Sequence, residues 1–185
     1  MRELQTYLFC DLETTGLDPK SCSIIEIACI LTRGPDTGFQ EIGRYETFVE
    51  PGPTWERKAL EMHQKSGLLN DMEGTRSLPI IAAAMEARRI VAGYSRPIFA
   101  ARNPHFDRGF IAEHMLVLDV ALHYRQFDIT TICLIDPSLY DYDHGVEGTP
   151  HRAMYDCERD LEYAREFVKR CHACAYHARK GANDE

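Results

Sequence analysis

Tyr7-Leu8-Phe9-Cys10-Asp11-Leu12-Glu13-Thr14-Thr15-Gly16-Leu17-Asp18-Pro19 opens with an apolar run, sets two acids at alternate positions, and closes in a Gly-Leu-Asp-Pro turn. In an extended strand residues i and i+2 share a face, so Asp11 and Glu13 point the same way from the end of a buried first strand. Neighbouring carboxylates repel, and desolvating each beside a core costs on the order of several kcal/mol. A divalent cation, which binds clustered oxygens, relieves both penalties. Taken alone, the pair reads equally well as solvated turn residues with Thr14 and Thr15 as caps. The rest of the chain decides.

Working outward, residues 24–31 predict a second strand and residues 41–49 a third, joined through the turn over 34–38. Pro51-Gly52-Pro53 breaks this meander, and residues 55–62 predict a short helix. Ser77 is placed to cap a helix over 78–92, where Ile80, Ile81, Ala84, Met85, Arg88 and Val91 fall at helical spacing. Strands and helices then alternate. A buried strand over 97–101 leads through Arg102-Asn103-Pro104 into a helix over 105–118. A strand follows over 127–130, with no decisive pattern over 131–135. A loop rich in Asp, Tyr and Gly spans 137–150, and a last helix runs over 152–171 with an extension to 178. A meander followed by alternation predicts an α/β domain over residues 1–178, a mixed sheet flanked by helices, with a polar tail over 179–185.

The chain has 185 residues, enough for one domain with a substantial core. No apolar run reaches the length of a membrane span, and Met1-Arg2-Glu3-Leu4-Gln5 lacks the apolar stretch of a signal peptide. This predicts a cytoplasmic protein. The seven cysteines are an odd number, and Cys10, Cys29 and Cys133 lie in apolar runs, so a disulfide framework is not expected. A formal net charge of -8 argues against coating long nucleic acid by counterion release, yet leaves room for a short or locally gripped strand.

Two further segments carry chemistry. Asp107 opens the helix that follows the fourth strand, where functional groups gather in open α/β sheets; equally, an acid in a first turn only complements the helix dipole. In Thr149-Pro150-His151-Arg152-Ala153-Met154-Tyr155-Asp156, residues five apart on an ideal helix are rotated by roughly 140°. His151 must therefore sit in the loop to reach the same site as Asp156. A loop histidine beside acids suits a general base, since its pKa lies near neutrality. His144 in the same loop is its rival.

Asp11, Glu13, Asp107, His151 and Asp156, in this order and context, resemble the DEDDh family of 3′-to-5′ exonucleases, from residue 9 to about 167. The resemblance implies a ribonuclease-H-like, five-stranded mixed sheet and two Mg²⁺ or Mn²⁺ ions. Asp11 would bridge both ions, Glu13 and Asp156 would complete the site of the nucleophilic water, and Asp107 would support the second ion. His151 would take the water's proton, and 5′-mononucleotides would leave from the 3′ end.

Residues 61–69, 123–128 and 151–153 look like oligoribonuclease, whose members are homodimers acting on very short RNA. By that resemblance Leu17 and a partner-supplied Tyr124 grip the bases, Thr14 lies beside them, and Trp55 and His63 are candidates for the same pocket through stacking. Arg125 and Thr130 match one side of a 5′-phosphate cap. The other side departs: Ala101-Arg102-Asn103 and Phe106 stand where Gly-Asn-Ser and Gln are usual, and Asn103-x-x-Phe106-Asp107 is similar to bacterial proofreading exonucleases. Single-stranded DNA is therefore the alternative substrate, and a non-catalytic end-binding subunit the alternative role. Cys171, Cys174 and His177 share a helix face as zinc candidates, without an evident fourth ligand.

Overall fold

The computed structural model describes residues 5–181, and their side chains as far as residue 174. Five strands form one sheet in the order β3-β2-β1-β4-β5. β1 (Thr6–Thr14), β2 (Ile24–Arg33) and β3 (Glu41–Phe48) are the antiparallel meander, while β4 (Ile98–Ala101) and β5 (Gln126–Asp128) run parallel to β1. β1 extends past Cys10 through both acids because β2 continues to pair with it as far as Glu13↔Glu26 and Thr14↔Ile24.

Side chains alternate across β1. Leu8, Cys10 and Leu12 pack on one side with Phe110 and Ile111 of α4 (Pro104–His114), Leu118 of α5 (Leu116–Asp119) and Ala83 and Ala87 of α3 (Ile80–Ile90). Phe9 packs on the other side with Ile129 and Cys133 of α6 (Ile129–Ile135) and Ala153, Cys157 and Leu161 of α7 (Ala153–Gly181). Asp11 and Glu13 follow Phe9 in the alternation and so belong to the α7 side.

Several local expectations change. The first helix, α1 (Arg57–Ser66), begins beyond Trp55 and stops at Gly67, whose φ of 80° suits glycine, before the short α2 (Leu68–Met72). Ser77 caps nothing: Leu78 donates to Phe48 O and bridges to Val49, and Pro79 precedes α3 instead. The helix expected over 105–118 breaks at Met115. The strand expected over 127–130 ends at Asp128, whose side chain accepts from Thr130 N and starts α6. The helix side of that competition wins because an Asp N-cap satisfies a free N–H.

Candidate active site

β1 outruns its neighbour on one side. β4 pairs only with Tyr7, Leu8 and Phe9, so from Asp11 onward that edge of β1 has no strand beside it. The exposed donor there is taken by a side chain: Leu12 N–H donates to Asp107 Oδ1 at 3.1 Å. Asp107 reaches it from the first turn of α4, which starts where β4 stops. Asp156 arrives from the first turn of α7, and its Oδ2 accepts from His151 N–H at 2.9 Å. His151 has φ 62°, a left-handed conformation that turns the loop just before the helix. Glu26 fixes that junction from β2, accepting from Ala153 N–H at 2.9 Å and from the Arg152 guanidinium at 3.0 Å.

Asp11, Glu13, Asp107, His151 and Asp156 all line one cavity of about 250 Å³. Ligand atoms of Glu13, His151 and Asp156 lie within 4.8 Å of one another. Glu13, Asp107 and Asp156 are buried and His151 is exposed. Burial, reinforced by Asp156, Glu26 and Asp107, pushes the Glu13 carboxyl up to about 8. Burial likewise raises Asp107 to about 8 against the hydrogen bond from Leu12, and burial with Asp107 and Glu13 beside it lifts Asp11 well above the carboxylate range. The four carboxylates are hard oxygen donors held close together, the kind of set a hard divalent cation binds. His144 is elsewhere, its ring edge-on to Tyr155 and Tyr163 and its Nδ1 accepting from Val146 N–H.

The other expected residues divide into three groups. Leu17, 72% exposed, borders an apolar cavity of about 320 Å³ with Leu12, Ala59, Met62 and Phe106. Glu13, Leu12 and Phe106 line both cavities, so the two are neighbours. Asn103 borders the acidic cavity, and its N–H donates to Thr130 Oγ1 and Asp128 Oδ1.

His63 is built into the frame instead, and Thr14 is tied to that frame while also bordering the apolar cavity beside Leu17. Thr14 Oγ1 donates to Gly16 O, and its carbonyl accepts from His63 Nε2 at 2.8 Å. His63 is 0% exposed, with Nδ1 3.7 Å from Glu13 Oε2, so it offers no face for stacking a base. Burial holds its pKa below the usual value. Trp55, half-buried, stands edge-on to the His63 ring and borders neither cavity.

Tyr124 and Arg125 form the third group. They precede β5, whose register places Gln126 opposite Phe99 and Asp128 opposite Ala101, at the end of the sheet away from the acids. Tyr124 is 73% exposed, stacked on His123 and covered by Arg125. Cys171 and Cys174 are exposed on α7, while the side chain of His177 lies outside the described residues.

Several residues at the site carried no sequence expectation of a role, Arg102, Arg159 and Asp160 among them. Arg102 and Arg159 line the acidic cavity, and buried Asp160 binds both. The spacing of Asp156, Arg159 and Asp160 at i, i+3 and i+4 put them on one helix face, a signal present in the sequence.

A β3-β2-β1-β4-β5 sheet with carboxylates gathered where its central strand outruns a neighbour defines a ribonuclease-H-like nuclease of the DEDDh kind. The chain matches the RNase_T exonuclease family over residues 8–164 and belongs to it. It is a 3′-to-5′ exonuclease, a hydrolase close to oligoribonuclease. It is 30% identical over 172 residues to an oligoribonuclease of Mycobacterium sp. (strain KMS), covering 84% of this chain and 78% of that one. It is 28% identical over 170 residues to an oligoribonuclease of Francisella tularensis subsp. tularensis (strain WY96-3418), covering 87% and 93%. In fold it is similar to a product-bound exonuclease I (TM-score 0.65, 16% identity) and to a metal-free E. coli exonuclease I bound to single-stranded DNA (TM-score 0.62, 15% identity). Those structures cover 90% and 91% of this chain, which spans only 44% and 42% of theirs.

Proposed function

We propose that this exonuclease removes 5′-mononucleotides from the 3′ ends of short RNA, in the manner of an oligoribonuclease, using two divalent cations, Mg²⁺ or Mn²⁺. The observation that carries the reading is the crowding of Asp11, Glu13, Asp107 and Asp156 around one cavity, with Glu13 and Asp107 raised to about 8 by burial and by one another's neighbours. Those four carboxylates would hold the cations. When bound, the cations neutralise the phosphodiester, supply an activated water and stabilise the leaving 3′ oxygen.

The chain's own residues do the rest. The exposed imidazole of His151 accepts the proton of the attacking water, and the loop that bears it is tied to Asp156 through its own N–H. Water oxygen bonds to phosphorus as the bond to the 3′ oxygen breaks, and that oxygen takes up a proton. Leu17, Leu12, Met62 and Phe106 enclose the terminal base without reading its edges, which suits a substrate of any sequence. His63 holds the Thr14 carbonyl and backs Glu13, so it positions rather than binds.

Two parts of the reading concern the assembly. Tyr124 and Arg125 lie far along the sheet from the acids of their own chain, so they serve the site of a second copy in a homodimer. Exposed Leu116, Val117, Val120, Leu134 and Ile135 supply apolar surface for such a contact. Among the described residues no helix is long and apolar enough to cross a membrane, and seven free cysteines suit the reducing cytoplasm.

Asn103 and Phe106 favour a second reading, single-stranded DNA as substrate, because a cap serine and glutamine are missing there. The test is product length over time on 5′-labelled RNA and DNA of two to about twenty nucleotides, with Mg²⁺ or Mn²⁺ and an Asp11→Ala control. Dinucleotides cut faster than longer RNA support the first reading. Long DNA shortened stepwise with dinucleotides left over supports the second. No metal-dependent cleavage of either overturns both.

A further inference from the structure

The acidic cavity is lined by two arginines as well as by acids. Arg102 stands at the end of β4, and Arg159 one turn along α7 from Asp156. Both converge on Asp160, which is 3% exposed. Its Oδ1 accepts from Nε and Nη2 of Arg102 at 3.4 and 3.3 Å, and from Nε and Nη2 of Arg159 at 3.2 and 3.0 Å. Two cations therefore share one carboxylate oxygen.

They differ in what remains. Arg159 turns Nη1 to Asp156, so its charge is spent within the protein. Arg102 keeps Nη1 free of any hydrogen bond to the described residues, and its side chain is 30% exposed. Its guanidinium is held in place by more than Asp160: the Tyr163 and Tyr140 rings lie 5.3 and 5.9 Å from it. A guanidinium fixed by a buried carboxylate and two aromatic rings has lost its rotamer freedom already, and its open edge of N–H donors matches phosphate oxygens. In a chain of net charge -8 the placement of that cation beside acids has a chemical counterpart in an anionic ligand.

We propose that Arg102 contacts a backbone phosphate of the bound strand, with Asp160 and Arg159 as positioning residues. The inference rests on the reading that this cavity receives a nucleic-acid 3′ end. The contact is to phosphate and not to a base, so it strengthens binding equally for all sequences and adds to the salt dependence.

The experiment is fluorescence anisotropy of labelled A-rich and U-rich pentanucleotides with Mg²⁺ over a salt series, in a His151→Ala background that suppresses turnover. Arg102→Gln is expected to weaken both oligonucleotides about tenfold and to lower the slope of log K against log salt by about one, while Arg102→Lys restores the slope. Because Arg102→Gln leaves buried Asp160 short of a partner, the double variant Arg102→Gln/Asp160→Asn, with folding checked by circular dichroism, must show the same slope change. Unchanged affinity and slope overturn the proposal, as does a loss of affinity at unchanged slope that Lys fails to rescue. A His151→Ala parent that binds neither oligonucleotide overturns the functional reading along with it.

Discussion

Leu12 and Asp107 are joined by a hydrogen bond from main chain to side chain at 3.1 Å, and it closes the edge of β1 that β4 leaves open. Asp107 thus has two separable duties, to accept that N–H and to present a carboxylate to the cavity. Asp107→Asn keeps an acceptor and loses the charge, whereas Asp107→Ala loses both. Both variants are expected to lose about 10²–10³-fold in exonuclease rate, as for removal of a key electrostatic group. Only Asp107→Ala strands a buried N–H, and urea unfolding should show it about 1–3 kcal/mol less stable than Asp107→Asn. Equal stability of the two would show that the bond contributes nothing.

The raised carboxyls make the metal-free protein pH-sensitive. In the unfolded chain Glu13 and Asp107 release their protons near 4, but in the folded chain they hold them to about 8. Between those values the folded state binds more protons than the unfolded state, so stability falls as pH rises. Thermal unfolding in EDTA should therefore give a Tm that declines from about pH 5 to pH 8. Mg²⁺ should raise Tm more at pH 8 than at pH 5, since it binds the deprotonated acids. A Tm flat with pH, or a Mg²⁺ effect largest at pH 5, would contradict this.

His63 is buried behind Glu13, and its effect on kinetics follows from that place. With Nε2 bonded to Thr14 O and no exposure, it touches the frame of the site and not the substrate. His63→Ala is expected to cost about 2–4 kcal/mol in stability through the cavity and the stranded carbonyl. It should lower kcat with KM little changed, and His63→Gln, which restores a donor, should recover part of the loss. A rise in KM alone would make it a substrate contact after all.

How much of this was legible in the sequence follows from the range of each interaction. The period of two in β1 was enough to put Asp11 and Glu13 on one face, because alternation depends only on neighbouring residues. The position of His151 ahead of α7 followed from helix geometry once it was required to share a site with Asp156. Residues 129–135 were harder, since Ile129, Thr130, Thr131 and Ile132 have the β-branched character of a strand, and the Asp128 cap that makes them helical competes at close odds. The helix break at Met115 had no glycine or proline to announce it. Arg102 went unread for a different reason: it meets Asp160 only when β4 and α7 are brought together, and pairing across that separation has no local signature, whereas the shared helix face of Asp156, Arg159 and Asp160 was there to be read. His63 was a candidate for stacking in the base pocket because the Thr14 carbonyl that engages it lies 49 residues back in the chain.

Tyr124 and Asp11 sit toward opposite ends of the sheet, and this gives the dimer reading a decisive test. If each site takes its tyrosine from the other subunit, Asp11→Ala and Tyr124→Ala fall in the same site of a mixed dimer. One site then has both lesions and the other has neither. Random exchange makes half the dimers mixed, each with one sound site of two, so equal mixing of the two inactive variants should recover about a quarter of the wild-type rate. Mixing Asp11→Ala with an Asp11→Ala/Tyr124→Ala double variant should recover none, because no site keeps its acid. Size-exclusion chromatography with light scattering, run on the same samples, reports whether dimers form. No recovery in dimeric mixtures that have exchanged subunits would show that Tyr124 does not act across the interface, and a monomer at all concentrations would remove the partner from the site altogether.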